Sequence, residues 1–406
     1  MSKLLQINVC LNLSTGNIAQ SIGDAALNRG WESYIAFSSR EPMVPSRSKI
    51  IKVGRFYDPY LHYIESKVFD REGLASRCAT KQLIKHIVNI KPDVIQLHNI
   101  HDHWLNYKIL FEYLNTTNIK VVWTFHDCWP FTGHCFHFVT KSCERWKTGC
   151  YMCPLHHVYP NTLFDRSTKN YRLKRNLFSN SRNLSVVPCS DWMSDFVRES
   201  FFKNKRIHTI KNGIDISVYK PSMRRNMIEG QKFKILAVSN VWNKEKGLDD
   251  IYILRKLLPH DYVITIVGLT VAQQKNLPKG INGIQRTQSK EELVELYSDS
   301  DVLINPTYAD TFPTINLEAL ACGTPVITYK TGGSPEAIDE NTGAVVEQGD
   351  IIALCEKIKE FHSICFKQNH TDECRKRAVE KFDKNICFEN YINLYEDLLG
   401  ENVSRK

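Results

Sequence analysis

Short apolar runs alternate with stretches of helical period along most of the chain. Residues 4–13, LLQINVCLNL, predict a strand, and residues 18–30, IAQSIGDAALNRG, a helix closed by Gly30. The alternation continues through SYIAF (33–37, strand), CATKQLIKHIVNI (78–90, helix), VIQLH (94–98, strand), LNYKILFEYLN (105–115, helix) and KVVWTFH (120–126, strand). LSVVPCS (184–190) and RIHTIKNG (206–213) predict strands around DWMSDFVRES (191–200), a helix opened by Asp191. A second series follows. KFKILAVSN (232–240), VITIVG (263–268), GIQRT (283–287), VLINP (302–306) and PVITY (325–329) predict strands. LDDIYILRKLL (248–258), KEELVELYSD (290–299), TINLEALACG (314–323) and ALCEKIKEFHSICF (353–366) predict the helices between and after them. Strands that alternate with helices form βαβ units, and these build a parallel sheet covered on both faces.

The polar, aperiodic stretch 221–231, PSMRRNMIEGQ, separates the two series and reads as a linker. The expected organisation is α/β: a doubly wound domain over 1–222, a second over 223–385, and a helix in 386–406 that packs back toward the first. A chain of 406 residues suits two such domains. Sheets of this type take ligands outside the carboxyl ends of their strands, so the crevice between the two domains is the expected active site.

Composition narrows this further. Hydrophobic residues make up 42% and charged residues 24%, ordinary values for a folded chain. No stretch offers the roughly 20 apolar residues of a membrane helix. The opening MSKLLQINVCLNL has no small-residue cleavage site after its apolar run, so a cytoplasmic protein is expected. The net charge of +9 is local: residues 141–211 hold 14 Lys and Arg against 5 Asp and Glu, and the remainder is balanced. A solvated basic face and a face for anionic lipid or phosphate both fit. RSTKNYRLKRNLFSN (166–180), with Tyr171, Leu173, Leu177 and Phe178 along it, reads either as an amphipathic helix on an anionic membrane or as a solvated helix.

Residues 306–336, PTYADTFPTINLEALACGTPVITYKTGGSPE, carry the main chemical signal. A strand ends at Asn305 and Pro306, a polar loop follows, and a helix begins near Thr314. The unpaired first-turn amides and dipole of such a helix suit a diphosphate. Asp310 in front of it can accept hydrogen bonds from sugar hydroxyls, and Glu318, one turn in, can take a ribose diol with both oxygens.

This segment resembles glycosyltransferase family 4, the retaining GT-B sugar transferases, whose acid-x7-Glu pattern and Gly-x-Pro-Val turn fall on Asp310, Glu318, Ala319, Ala321, Gly323, Pro325 and Val326. Asp310 replaces the usual Glu, and Phe312-Pro313 the usual Phe-Gly, which removes one amide donor. The resemblance is nearest to the branch acting in bacterial exopolysaccharide and colanic-acid-like assembly, and it extends over most of the chain. It implies two Rossmann-like domains, a UDP- or GDP-sugar donor, a lipid-linked glycan acceptor and work at the inner face of the plasma membrane. It places Thr311, Phe312 and Thr314 beside the donor and Lys246, in AVSNVWNKEKGLDD, on the diphosphate. Asn240 lies near the place of the family's arginine, and Arg286 and Thr287 meet the base through backbone groups. Gly16 falls in the first strand-to-helix turn, where close backbone approach and a plain turn are both open. His126 falls where the family places a histidine facing the donor sugar. Asp127 either caps the following turn or receives the acceptor proton. Lys246 and the helix amides stand in for a divalent cation, so no catalytic metal is expected.

Thirteen scattered cysteines argue against a disulfide framework. Within CWPFTGHCFHFVTKSCERWKTGCYMCP, however, Cys135, Cys143, Cys150 and Cys153 stand at C-x7-C-x6-C-x2-C. That spacing suits a tetrahedral structural zinc, with His134 and His137 as alternative ligands; an iron–sulfur cluster and unliganded thiols remain open. The expectation is a retaining glycosyltransferase moving a hexose-type sugar to a glycan of the bacterial surface, with a Cys-rich insertion over 128–157. The alternatives are a GT-B nucleotide-sugar epimerase and a zinc-containing nucleic-acid-binding protein. The second leaves Asp310, Glu318 and Lys246 unexplained, so no nucleic acid is expected.

Overall fold

The computed structural model describes residues 1–158, 160–222 and 232–400. Most of the expected linker, residues 223–231, lies outside them. The chain forms two compact units: residues 1–211 with the segment from Cys387 onward, and Asn212–Ile386. The boundary therefore precedes the expected 222/223. Residues 212–220 belong to the second unit because they are tied into it. Ile214 pairs with Asp383, Lys384 Nζ reaches Asp215 Oδ2 at 2.6 Å, and Arg375 donates to the Tyr219 carbonyl at 2.6 Å.

In chain order the first unit contains β1 (Lys3–Ile7), α1 (Leu13–Asn28), β2 (Glu32–Ser38), β3 (Lys49–Val53), α2 (Asp58–Phe69), α3 (Arg77–Ile90), β4 (Val94–Leu97), α4 (Tyr107–Leu114), β5 (Lys120–Phe125), α5 (Arg145–Thr148), α6 (Ser167–Ser179), β6 (Leu184–Pro188), α7 (Asp191–Glu199) and β7 (Arg206–Ile207). Its seven strands are parallel in the order β3-β2-β1-β4-β5-β6-β7. The second unit contains β8 (Phe233–Val238), α8 (Leu248–Leu257), β9 (Tyr262–Val267), α9 (Val271–Lys275), β10 (Ile281–Ile284), α10 (Lys290–Asp299), β11 (Val302–Asn305), α11 (Thr314–Ala321), β12 (Val326–Tyr329), β13 (Gly343–Val346), α12 (Ile351–Ser363) and α13 (Phe366–Phe382). Its sheet runs β10-β9-β8-β11-β12-β13. A last helix, α14 (Lys384–Gly400), follows.

Central strands are mostly apolar because both faces are covered, and their few polar residues, such as Gln6 and Gln96, are buried. On β1, Leu4 and Leu5 point to opposite faces and pair with Val94 and Ile95. The Leu4 face is closed by Ile18 and Ile22 of α1 and by Phe388, Tyr391, Ile392 and Tyr395 of α14. The Leu5 face joins Leu83, Phe111, Trp123 and Phe178. Buried phenols on α14 find partners in the sheet: Tyr395 donates to Gln96 Oε1 at 2.9 Å, and Tyr391 lies 3.0 Å from Thr124 Oγ1. Among the described residues no helix is long and apolar enough to cross a membrane.

α6 corrects one expectation. Its Tyr171, Leu177 and Phe178 are buried in the first unit, so this apolar face is not available to lipid. Lys174 is 1% exposed and donates to the carbonyls of Trp129 at 2.7 Å and Thr132 at 3.1 Å. Lys169, Arg172 and Arg175 stay on the surface.

Candidate active site

In the second unit the strand order reverses between β8 and β11, and such a reversal opens a crevice at the strands' carboxyl ends. The loops leaving these two strands carry the key residues. After β8, Asn243 accepts from the Lys246 amide at 2.9 Å and closes a tight turn. Gly247 follows at φ +75°, where a Cβ would lie 2.1 Å from the Pro306 oxygen. Only glycine permits this approach, and it sets the turn against the β11 loop, where the Tyr308 amide reaches the Glu245 carbonyl at 2.7 Å. Lys246 Nζ then meets Asp310 Oδ2 at 2.7 Å and the Ala309 oxygen at 3.2 Å.

The far side of that loop is braced by the Gly332–Gly333 turn. Gly332 has φ +55° and a Cβ there would sit 1.7 Å from the Asp310 oxygen, while the Gly333 amide donates to Thr311 at 3.0 Å. α11 starts behind Asp310. Its N-cap is Pro313, with no side-chain cap and no acidic residue in the first turn, which leaves an end suited to an anion. Glu318, one turn in, is half-buried and accepts from Tyr297 OH at 2.8 Å. Tyr219 and Thr314 also hydrogen-bond to it. Burial pushes its carboxyl above the ordinary carboxylate value, and these hydrogen bonds only partly offset that.

Other expected donor residues are placed differently. Phe312 is 3% exposed and packs on Phe382 at 6.0 Å between ring centres, so its side chain serves the core rather than a ligand. Asn240 is exposed in the turn after β8. The strand expected over 283–287 ends at Ile284, which leaves Arg286 exposed and Thr287 half-buried in the loop before α10.

In the first unit, Gly16 lies inside α1 rather than in the turn before it. A Cβ on it would fall 2.5 Å from the Leu11 carbonyl carbon, so its role is packing. The strand order reverses between β1 and β4, and a polar relay crosses this point. Gln6 Nε2 donates to Ala19 O at 2.7 Å, so Gln6 Oε1 accepts from His98 Nε2 at 3.1 Å. His98 Nδ1 is then the acceptor for His126 Nε2, also at 3.1 Å, a tautomer assigned from the network. Burial lowers both imidazoles, His126 to about 4, so the relay is neutral at pH 7.

Asp127 Oδ1 caps the next turn by accepting from the Trp129 amide at 2.9 Å, and Oδ2 pairs with His101 Nε2 at 2.9 Å. Burial opposes charge on both members. Their attraction nevertheless outweighs it, raising the imidazole and lowering the carboxyl. His98 and His101 were not singled out from the sequence, although H-x2-H-x-H at 98–103 was a visible signal. His62, Glu72 and His103 present ligand atoms within 4.8 Å of one another. His62 Nε2 is already occupied by the amides of Gly73 at 3.1 Å and Ala75 at 3.4 Å, so the trio braces the loop. Among the described residues, no three of the sulfurs of Cys135, Cys143, Cys150 and Cys153 form such a set, but all four line one cavity.

Two doubly wound units of this kind make up the GT-B fold. The fold agrees with sucrose-phosphate synthase from Thermosynechococcus elongatus (TM-score 0.75, 16% identity, 99% of this chain and 100% of that one). It also agrees with Anabaena Alr3699/HepE, solved in complex with UDP-glucose (TM-score 0.63, 14% identity, 100% of both chains). The profile of Glycosyltransferase Family 4 matches residues 16–218, half of the chain, and that of Glycosyl transferases group 1 matches 197–380. The chain belongs to glycosyltransferase family 4. It is 26% identical over 322 residues to the Escherichia coli K12 protein named "Putative colanic acid biosynthesis glycosyl transferase WcaC", covering 76% of this chain and 77% of that one. It is thus related to enzymes of polysaccharide biosynthesis.

Proposed function

We propose that this chain is a retaining hexosyltransferase that moves a sugar from a UDP- or GDP-sugar to a lipid-linked glycan in bacterial surface polysaccharide assembly. The observation that carries this reading is the Lys246–Asp310 pair beside the N-terminus of α11, with Glu318 one turn in. The helix amides and Lys246 take the diphosphate, Glu318 takes the ribose hydroxyls, and backbone groups of Arg286 and Thr287 take the base. Asp310 accepts from hydroxyls of the transferred sugar. In the first unit, neutral His126 is a hydrogen-bond partner suited to a sugar hydroxyl, and Asp127 holds His101 in place.

No residue is assigned as a covalent nucleophile. The acceptor oxygen bonds to the anomeric carbon as the carbon–oxygen bond to the diphosphate breaks on the same face. The departing phosphate oxygen receives the acceptor proton. The protein contributes position and positive charge.

A thermal-shift series with UDP-, GDP- and related sugars tests the reading, because a ligand bound only by the folded state raises the apparent Tm. One nucleotide class should raise it, and Glu318→Ala and Lys246→Ala should lose that shift and most of the transfer. Wild-type transfer by both variants would show the donor assignment to be wrong.

A further inference from the structure

Residues 128–157 form a part of the first unit with little regular structure, two single 3-10 turns and the four-residue α5. Phe131, Phe138 and Trp146 pack together there, with ring centres 4.9–6.2 Å apart. Beside them lies a cavity of about 10 Å³, large enough for one small sphere, whose lining includes Cys135, Cys143, Cys150, Cys153 and His134. Five soft or borderline donors around one such space are unlike an apolar packing defect.

The surroundings are built around those donors. His134 is 2% exposed, its Nδ1 lies 2.7 Å from Asp70 Oδ1, and its buried Nε2 has no partner. A carboxylate behind a histidine whose other nitrogen is orphaned is the outer-shell arrangement of a ligating imidazole. The Gly133 amide donates to Cys150 Sγ at 3.2 Å. A Cβ on Gly133 would come within 2.3 Å of the Ser167 oxygen and 2.8 Å of Cys150 Cβ, so that approach needs glycine.

The C-x2-C turn between Cys150 and Cys153 is held open at Met152, which sits at φ +42°. Arg145 donates to the carbonyls of Tyr151, at 2.9 Å, and Met152, while Asp165 Oδ2 accepts from the Cys153 amide at 2.6 Å. The Lys174 amine, buried against the Trp129 and Thr132 carbonyls, fixes the backbone just before Gly133.

We propose that this donor set, with Cys150 and Cys153 as its fixed pair and Cys135 and Cys143 completing the thiolates, is a structural zinc site. Thiolates with the His134 imidazole beside them select zinc over magnesium or calcium, and four ligands drawn from these five donors leave no open position for catalysis. Among the described residues no three of the sulfurs lie within 4.8 Å of one another, so loading draws them together and stiffens the segment. The site stands independently of the donor assignment.

The test is elemental analysis of the full chain, purified under reducing conditions without added metal. About one zinc per chain is expected. Blocking the thiols with a mercurial should release it stoichiometrically to a chromogenic chelator, and cobalt(II) exchanged into the site should show intense visible bands and thiolate charge transfer. Cys150→Ser with Cys153→Ser should lose the metal and melt several degrees lower. If that variant does not fold, stoichiometry and thiol-linked release in the wild type still decide. Absence of zinc, iron in its place, or zinc that survives complete thiol blocking each overturns the proposal, whatever the transferase activity.

Discussion

Glu318 carries a cost that its neighbours reveal. Its carboxylate is half-buried, and burial holds its pKa above the usual value despite the Tyr297, Tyr219 and Thr314 hydrogen bonds. A raised acid weakens the fold as pH rises from the ordinary value of 4.5 toward the folded one, because ionisation is easier in the unfolded chain. Glu318→Gln retains an acceptor for Tyr297 and removes that charge. Its Tm at pH 7.5 should equal or exceed wild type while transfer falls steeply; a melt several degrees lower would contradict the account. Tyr297→Phe should weaken donor binding by about 1.5–3 kcal/mol, read from the nucleotide-sugar Kd, because the phenol that orients the charged carboxylate is lost. His126 responds in the opposite pH direction. Its folded pKa of about 4 lies below the ordinary 6.5, so protons bind the unfolded chain first. Stability is full above pH 6.5 and falls as pH drops toward 4, by up to roughly 3 kcal/mol. His126→Asn should flatten that part of a Tm-against-pH curve.

At the scale of elements, the fold rests on a few close approaches. Gly332→Ala would press a Cβ into the Asp310 carbonyl from a left-handed backbone, at a cost of about 1–3 kcal/mol, and should shift Asp310 and reduce transfer. Thermal melts and kcat measured together test this, since loss of stability alone would leave Asp310 undisturbed. Ile392→Ala on α14, fully buried, should cost about 2–5 kcal/mol in chemical denaturation. The elements legible in the sequence are those whose burial is nearly complete: β4, β6, β11 and β12 are buried along their whole length and read as mainly apolar runs, each with one polar residue. β3 lies at the sheet edge with only Val53 buried, so KIIKV carries a weak signal. α13 buries only Phe366, Cys374, Ala378 and Phe382 along 17 residues, too sparse a stripe to mark a helix. The candidate site divides the same way. Asp310 and Glu318 share one loop and helix and are visible as a local pattern. Tyr297, Tyr219 and Gly332 reach them from separate elements, and His101 meets Asp127 across 26 positions, pairings that only folding creates.

For the whole molecule, the excess of positive charge and the path of the chain carry the consequences. With the Tyr171, Leu177 and Phe178 face of α6 buried, any membrane contact through this helix would fall to the exposed Lys169, Arg172 and Arg175. Such contact is electrostatic: the protein should pellet with anionic vesicles at low salt, release at high salt and ignore neutral vesicles. Changing the three residues to Gln should reduce pelleting, and equal binding to neutral vesicles would contradict it. The placement of α14 has a further effect. The first unit consists of residues 1–211 and a segment that begins only at Cys387, so the whole second unit is spliced into it. A ribosome therefore delivers the second unit complete before it delivers Phe388, Ile392 and Tyr395, which close one face of the first sheet. Synthesis from the N-terminus cannot finish the N-terminal unit first. Until the last helix emerges, Leu4, Val94, Val122 and Val187 lack the α14 part of their cover, and the nascent chain presents a partly open apolar sheet to chaperones throughout synthesis of the second unit.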